Sequence, residues 1–277
     1  MITFAALDLH ISLAAEKIFS IGSFEVTNAL FTGAIATTLL LIALFYTASR
    51  VKNGKYNRFV GFMQWSVETL LAQVDDVITD RKLARKIAPL AITIFLFVIV
   101  NYAMGILPGV GPITVDGIPV LRSLTADLNF TIALAVITMV AVQFYAIKRH
   151  GFFGNTGRYI RNPFKDPIGA FEGFLELIGE FSRLVALSLR LFGNTFAGEV
   201  LLILIAVLSG YLAAFSLPVV MVFELFIGFI QAYVFFMLTL IFAALAQEGH
   251  GEEHDDHSSS SNHSPAASTK NVLPARE

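Results

Sequence analysis

The 277 residues contain no cysteine, which excludes disulfides, thiol catalysis and thiolate zinc sites and leaves the redox compartment unspecified. Charge is also scarce: 14% of residues are Asp, Glu, Lys or Arg, against about 25% in an ordinary soluble domain. A soluble cytosolic enzyme is thereby excluded. Positive charge is not in excess either, since 19 basic residues face 21 acidic ones, so nothing offers the electrostatic footprint of a nucleic-acid partner. The N-terminus lacks the basic start of a secretory signal, and Asp8, Glu16 and Lys17 interrupt the apolar core that one requires.

What is abundant is apolar surface: 56% of residues are hydrophobic, 26 of them Phe, and the mean hydropathy is +0.71. Uncharged runs cover residues 26–49, 87–115, 128–147, 200–223 and 225–247. About 20 apolar residues suffice for one helix to cross the hydrocarbon core. The expected fold is therefore an all-α integral membrane protein, with an external N-terminal segment (1–25), a membrane domain (26–247) and a polar tail (248–277).

Basic residues set the orientation, because short cytoplasmic loops carry the excess of Lys and Arg. Residues 50–86 hold eight (Arg50, Lys52, Lys55, Arg58, Arg81, Lys82, Arg85 and Lys86) and residues 148–165 hold five (Lys148, Arg149, Arg158, Arg161 and Lys165). The N-terminal segment has only Lys17, and 108–127 only Arg122. The N-terminus is thus expected outside and the C-terminus in the cytoplasm, with three ordinary spans between. The mixed stretch 59–87 reads as an amphipathic helix on the cytoplasmic surface, with Pro89 opening the next span. Gly and Pro between Leu107 and Pro119 mark an external loop.

The region 172–247 does not fit two ordinary spans. Residues 172–208 contain no Pro and keep a helical periodicity; such a helix is about 55 Å long, whereas the bilayer core is about 30 Å thick. It must tilt steeply, lie nearly in the membrane plane, or break. Ser209-Gly210 and Ser216-Leu217-Pro218 punctuate a turn, so a steeply tilted helical hairpin over about 172–247 is expected.

Arg190, Asn194 and Glu199 lie on the first arm, Glu224 and Gln231 on the second. Ionisable groups at membrane depth are costly and mark ion or proton paths by default, although a lone Arg can also snorkel to an interface or sit in a structural ion pair. Asn194 follows Arg190 by four residues and shares its face, whereas Glu199, nine on, points the opposite way. Gly179, Ala186, Gly193 and Ala197 fall close to the Arg190 direction. Small residues let a second helix approach closely; that helix is either a separate partner or another part of this chain. Arg stays protonated and cannot pass a proton on. Glu199 and Glu224 can exchange protons, so the combination suits a gate.

The run Ser188-Leu-Arg190-Leu-Phe-Gly-Asn194-Thr-Phe-Ala-Gly-Glu199 closely resembles the signature of subunit a of the rotary, F-type ATP synthase membrane sector. Gln231-Ala-Tyr-Val-Phe235 and Thr125-Ala-Asp-Leu-Asn129-Phe-Thr131 support it, and the likeness in order and topology covers roughly residues 20–247. The resemblance implies that Arg190 is the arginine facing each passing carboxylate of the c-ring, with Asn194 and Gln231 lining that contact. It places Glu199 and Glu224 in the half-channel open to the outside, with Asp127 and Asn129 near its mouth. Glu172, Glu176 and Glu180 are candidates for the inner half-channel, or simply a solvated helix start that complements the dipole. Arg183, one heptad before Arg190, reads as a headgroup contact. The implied partners are c-ring subunits, peripheral-stalk b subunits, the soluble ATPase sector and membrane lipid; no cofactor or metal is called for. The chain would translocate ions within the complex without being an enzyme by itself, in a bacterial plasma membrane. Some family members carry His where this chain has Glu224; two Glu make the titrations of Glu199 and Glu224 coupled.

The tail carries His250, His254, His257 and His263 among Ser, Asp and Glu. It reads as a disordered segment with little to pack, metal binding being the other reading of such a composition. Two rival functions are a stand-alone proton-coupled transporter or channel and a structural scaffold. The first often shows internal repeats, which are not evident here, and a scaffold has no use for charges at depth.

Overall fold

The computed structural model describes residues 14–22, 24–107, 114–115, 118–119, 121–151 and 167–245. The polar tail, most of the second basic loop with Arg158, Arg161 and Lys165, and the Gly/Pro run after Leu107 lie outside these residues.

Two short antiparallel hairpins add to the expected all-helical architecture. Strands β1 (Lys17–Ile21) and β2 (Phe24–Thr27) pair directly before the first helix, and β3 (Thr114–Val115) pairs with β4 (Ile118–Pro119) in the loop after the second apolar span. Helix α1 (Asn28–Lys52) begins where the Thr27 hydroxyl accepts the Leu30 amide. Asn28 ties both hairpins to it, its side-chain oxygen accepting the Glu16 amide and its Nδ2 donating to the Pro119 carbonyl.

The stretch expected as one amphipathic surface helix is divided. Helix α2 (Arg58–Val77) buries Val60, Leu70 and Val74 and exposes Phe59, Phe62 and Trp65. Asp80 then caps α3 (Arg81–Ile106) by accepting the Lys82 amide. The next span therefore starts at Arg81, and Pro89 lies inside it rather than opening it. An N-cap carboxylate is a stronger start signal than a proline whose lost hydrogen bond neighbouring packing can absorb.

Helix α4 (Leu128–His150) is preceded by a 3-10 turn, Leu124–Ala126, buried between helices. Irregular backbone at such depth is tolerated only inside protein, and two glycines make the space. A methyl group on Gly33 of α1 would collide with Leu124, and one on Gly105 of α3 with Ser123.

The last two helices, α5 (Pro167–Ser209) and α6 (Ala213–Leu245), run antiparallel across the turn Gly210–Leu212, where Gly210 takes a positive φ of 49°. Helix α5 is unbroken over 43 residues, hence about 65 Å long. Its start is five residues earlier than the sequence suggests, and Pro218 lies within α6 instead of beginning it. The core joins Leu187 and Leu191 of α5, Phe235, Phe236 and Leu240 of α6, and Ile87 and Val98 of α3. Residues 28–52, 81–106, 128–148 and 167–245 supply four helical stretches long and apolar enough to cross a membrane.

Candidate functional site

Glu224 projects from α6 into the packing between α5 and α3 and is 3% exposed. Two close approaches create its seat. Gly198 on α5 leaves no room for a methyl group beside the Glu224 carboxylate, and Gly228, one turn beyond Glu224, admits the ring of Tyr102 from α3. The Tyr102 hydroxyl donates to Glu224 Oε1 at 2.6 Å.

Glu199 follows Gly198 and has a different set of partners. Its Oε2 lies 3.4 Å from Arg122 Nε, and its Oε1 accepts the Ser123 amide at 3.2 Å. Arg122 is itself anchored: its amide donates to the Thr32 hydroxyl of α1, and its Nη1 donates to the Ala14 carbonyl at 2.7 Å. The guanidinium thus joins Glu199 to the segment that precedes the first span. From Ser123 a buried row of hydroxyls continues inward, with Ser123 Oγ 2.8 Å from Thr125 Oγ1 and Thr195 Oγ1 donating to Thr125 Oγ1 at 3.1 Å.

The opposite face of α5 differs sharply. Arg190, Gly193, Asn194 and Ala197 are exposed, and nothing lies within 4 Å of a methyl group built on Gly193. Among the described residues no hydrogen bond or ion pair involves the Arg190 side chain. From Ala186 to Ala197 the small-residue stripe is therefore not covered by the described residues, whereas Gly179 is half-buried beside Arg183. Asn194 Nδ2 donates to Gln231 Oε1 at 2.9 Å across the two arms, and the Gln231 Nε2 is buried without a partner among the described residues.

The remaining candidates lie apart from this cluster. Asp127 caps α4, accepting the Asn129 amide at 2.9 Å, and Asn129 is exposed. Glu180 accepts from Gln143 of α4, while Glu172 is exposed and Glu176 half-buried on the same arm. Arg183 places its guanidinium 5.1 Å over the Phe242 ring of α6, an intramolecular cation–π contact where the sequence suggested a lipid headgroup.

Two site residues escape a sequence reading. Arg122 registers there only as a loop charge, and Tyr102 lies inside an apolar run; the polar pair Asn101-Tyr102 near the end of that run is the only local signal. Both gain meaning from contacts with residues far along the chain.

A helical, multi-pass membrane protein that packs two carboxylates and an arginine among apolar helices belongs to the ion-handling class. Residues 30–244 match the ATP synthase A chain family. The chain belongs to that family, subunit a of the F-type ATP synthase. It is thus a proton-translocating membrane subunit of the F0 sector, working with the c-ring and other subunits and not the catalyst of ATP formation itself.

Proposed function

We propose that this chain is the stator element that couples proton flow to rotation through two offset half-channels separated by Arg190. The observation that carries the reading is the division of α5 into two faces. Arg190 stands exposed on an uncovered stripe of small residues, while Glu199 turns the other way into the protein, on the side where Glu224 of α6 is buried. A ring of hairpin subunits, each with a membrane carboxylate, fits the uncovered face.

Protons enter from outside by way of Glu224 and Glu199 and neutralise a ring carboxylate, which can then rotate through lipid. Asn194 and Gln231 line the contact, and Asp127 and Asn129 stand at the outer mouth. On return the carboxylate meets Arg190, whose fixed charge favours the ionised form, and the proton leaves to the cytoplasm past Glu180, Glu176 and Glu172. Arg190 also blocks a direct leak, since it stays protonated and releases no proton. Each charge crossing contributes about 2.3 kcal/mol per 100 mV, summed by the rotor over several steps. The same reading puts the N-terminus outside, the C-terminus and basic loops in the cytoplasm of a bacterial cell, the α5–α6 pair steeply tilted in the plasma membrane, and b subunits of the peripheral stalk against this chain.

The test is ATP synthesis driven by an imposed proton gradient in vesicles holding the whole complex. Arg190→Ala should abolish it. Continued synthesis with that variant rules out the gate.

A further inference from the structure

A proton carrier at Glu224 needs a neighbour that holds its carboxylate in one geometry. A carboxylate on a helix samples several rotamers, and its two oxygens are interchangeable unless a neighbour distinguishes them. In this chain one neighbour does: Tyr102 donates to Oε1 at 2.6 Å. The phenol is 1% exposed and its ring sits in the notch of Gly228, so the donor is fixed by packing on one side as Glu224 is fixed by Gly198 on the other. Placing a rigid donor against a carboxylate from a separate helix needs both close approaches at once. Simple core packing would be served equally by Phe.

We propose that Tyr102 is a positioning residue of the outer proton path, acting through Glu224. Its O–H occupies Oε1 and so presents Oε2 as the oxygen that takes up and releases the proton, while the phenol keeps its own. The inference rests on the reading of Glu224 as part of that path. The groups that face Glu224 are Tyr102 from α3 and Gly198 from α5; beside Gly198, Glu199 brings the second carboxylate, which Arg122 holds from the turn before α4.

The test uses the complete complex in lipid vesicles, with ATP synthesis driven by an acid jump and its rate followed against the luminal pH, the side to which the outer half-channel opens. Tyr102→Phe retains the ring in its Gly228 notch, so assembly should match the parent. The rate should fall roughly three- to tenfold, the range set by one hydrogen bond of ordinary net strength, and the luminal pH profile should be displaced. Glu224→Gln should also be slow, and adding Tyr102→Phe to it should cost nothing further. If Glu224→Gln runs at the parent rate, Glu224 is off the path and the inference falls together with the reading. If Glu224→Gln is slow but Tyr102→Phe keeps the parent rate and profile, the inference alone is overturned. An equal further loss in the Glu224→Gln background also overturns it, because the phenol then acts on something else. Where Glu224→Gln has no measurable rate, the pH profile of Tyr102→Phe decides: displaced in support, unchanged against.

Discussion

Arg122 Nε and Glu199 Oε2 lie 3.4 Å apart, joining the irregular turn before α4 to the long helix α5. Both side chains are largely removed from water, at 9% and 20% exposure. Removing one member of such a pair leaves the other charge without compensation, which costs more than the pair contributes in net terms.

Arg122→Gln is therefore expected to lower stability by roughly 2–3 kcal/mol, somewhat under the usual cost of breaking a fully buried pair because Glu199 keeps some access to water. Arg122→Lys should recover much of it. The double variant Arg122→Gln/Glu199→Gln should be more stable than Arg122→Gln alone, since no buried charge is then orphaned. Thermal unfolding in nanodiscs measures all four proteins, and a flat series would mean the ion pair contributes nothing.

Glycines on the two faces of α5 and on α6 should separate folding from coupling. Gly228→Ala forces a methyl group into the Tyr102 ring, and overpacking of this kind costs about 1–3 kcal/mol. A methyl group built on Gly193 meets no atom of the described residues within 4 Å, so Gly193→Leu should leave the melting temperature of the isolated subunit unchanged while reducing c-ring association and proton-driven synthesis. Pull-down of ring subunits alongside melting curves distinguishes the two effects; normal association of Gly193→Leu would count against a ring on that face.

The hydroxyl row Ser123–Thr125–Thr195 links the turn before α4 to α5. Thr125→Val and Thr195→Val keep shape and remove a hydrogen-bonding group, so each should cost about 1 kcal/mol. Because the two share one bond, the double variant should cost less than the sum of the singles. Strict additivity in chemical or thermal unfolding would dissolve the network into separate contacts.

Asp127 has a local duty as well as a proposed place near the outer mouth. Loss of the α4 cap in Asp127→Ala should cost about 1 kcal/mol, and Asp127→Ser should restore the cap without the charge. If synthesis is normal in Asp127→Ser, the residue serves the helix alone; a persistent fall in rate with stability restored keeps it in the path.

How much was legible in the sequence depended on how local each signal was. The helical character, the long antiparallel pair and the opposite directions of Arg190 and Glu199 follow from hydropathy and from 100° per residue along one element, and the structure carries all three. Helix starts at prolines were misplaced because Pro89 and Pro218 are accommodated inside helices, while the actual start of α3 is governed by one capping carboxylate. The small β hairpins left no trace in the hydropathy pattern, being only a few residues long. Arg122 and Tyr102 were invisible as site residues for a different reason. Each acts across the fold on a carboxylate from another helix, and neither a loop arginine nor a tyrosine within an apolar run announces its partner.

The unbroken length of α5 carries one more consequence. Arg190 and Glu199 stand on one unbroken helix, separated by about 13 Å along it and half a revolution around it. Substitutions between them change the lining, but inserting or deleting one residue there would swing every later side chain by about 100°, detaching Glu199 from Arg122 or Arg190 from its outward bearing. The interval is a phase setting: a substitution there acts at one position, whereas a change of count turns everything beyond it.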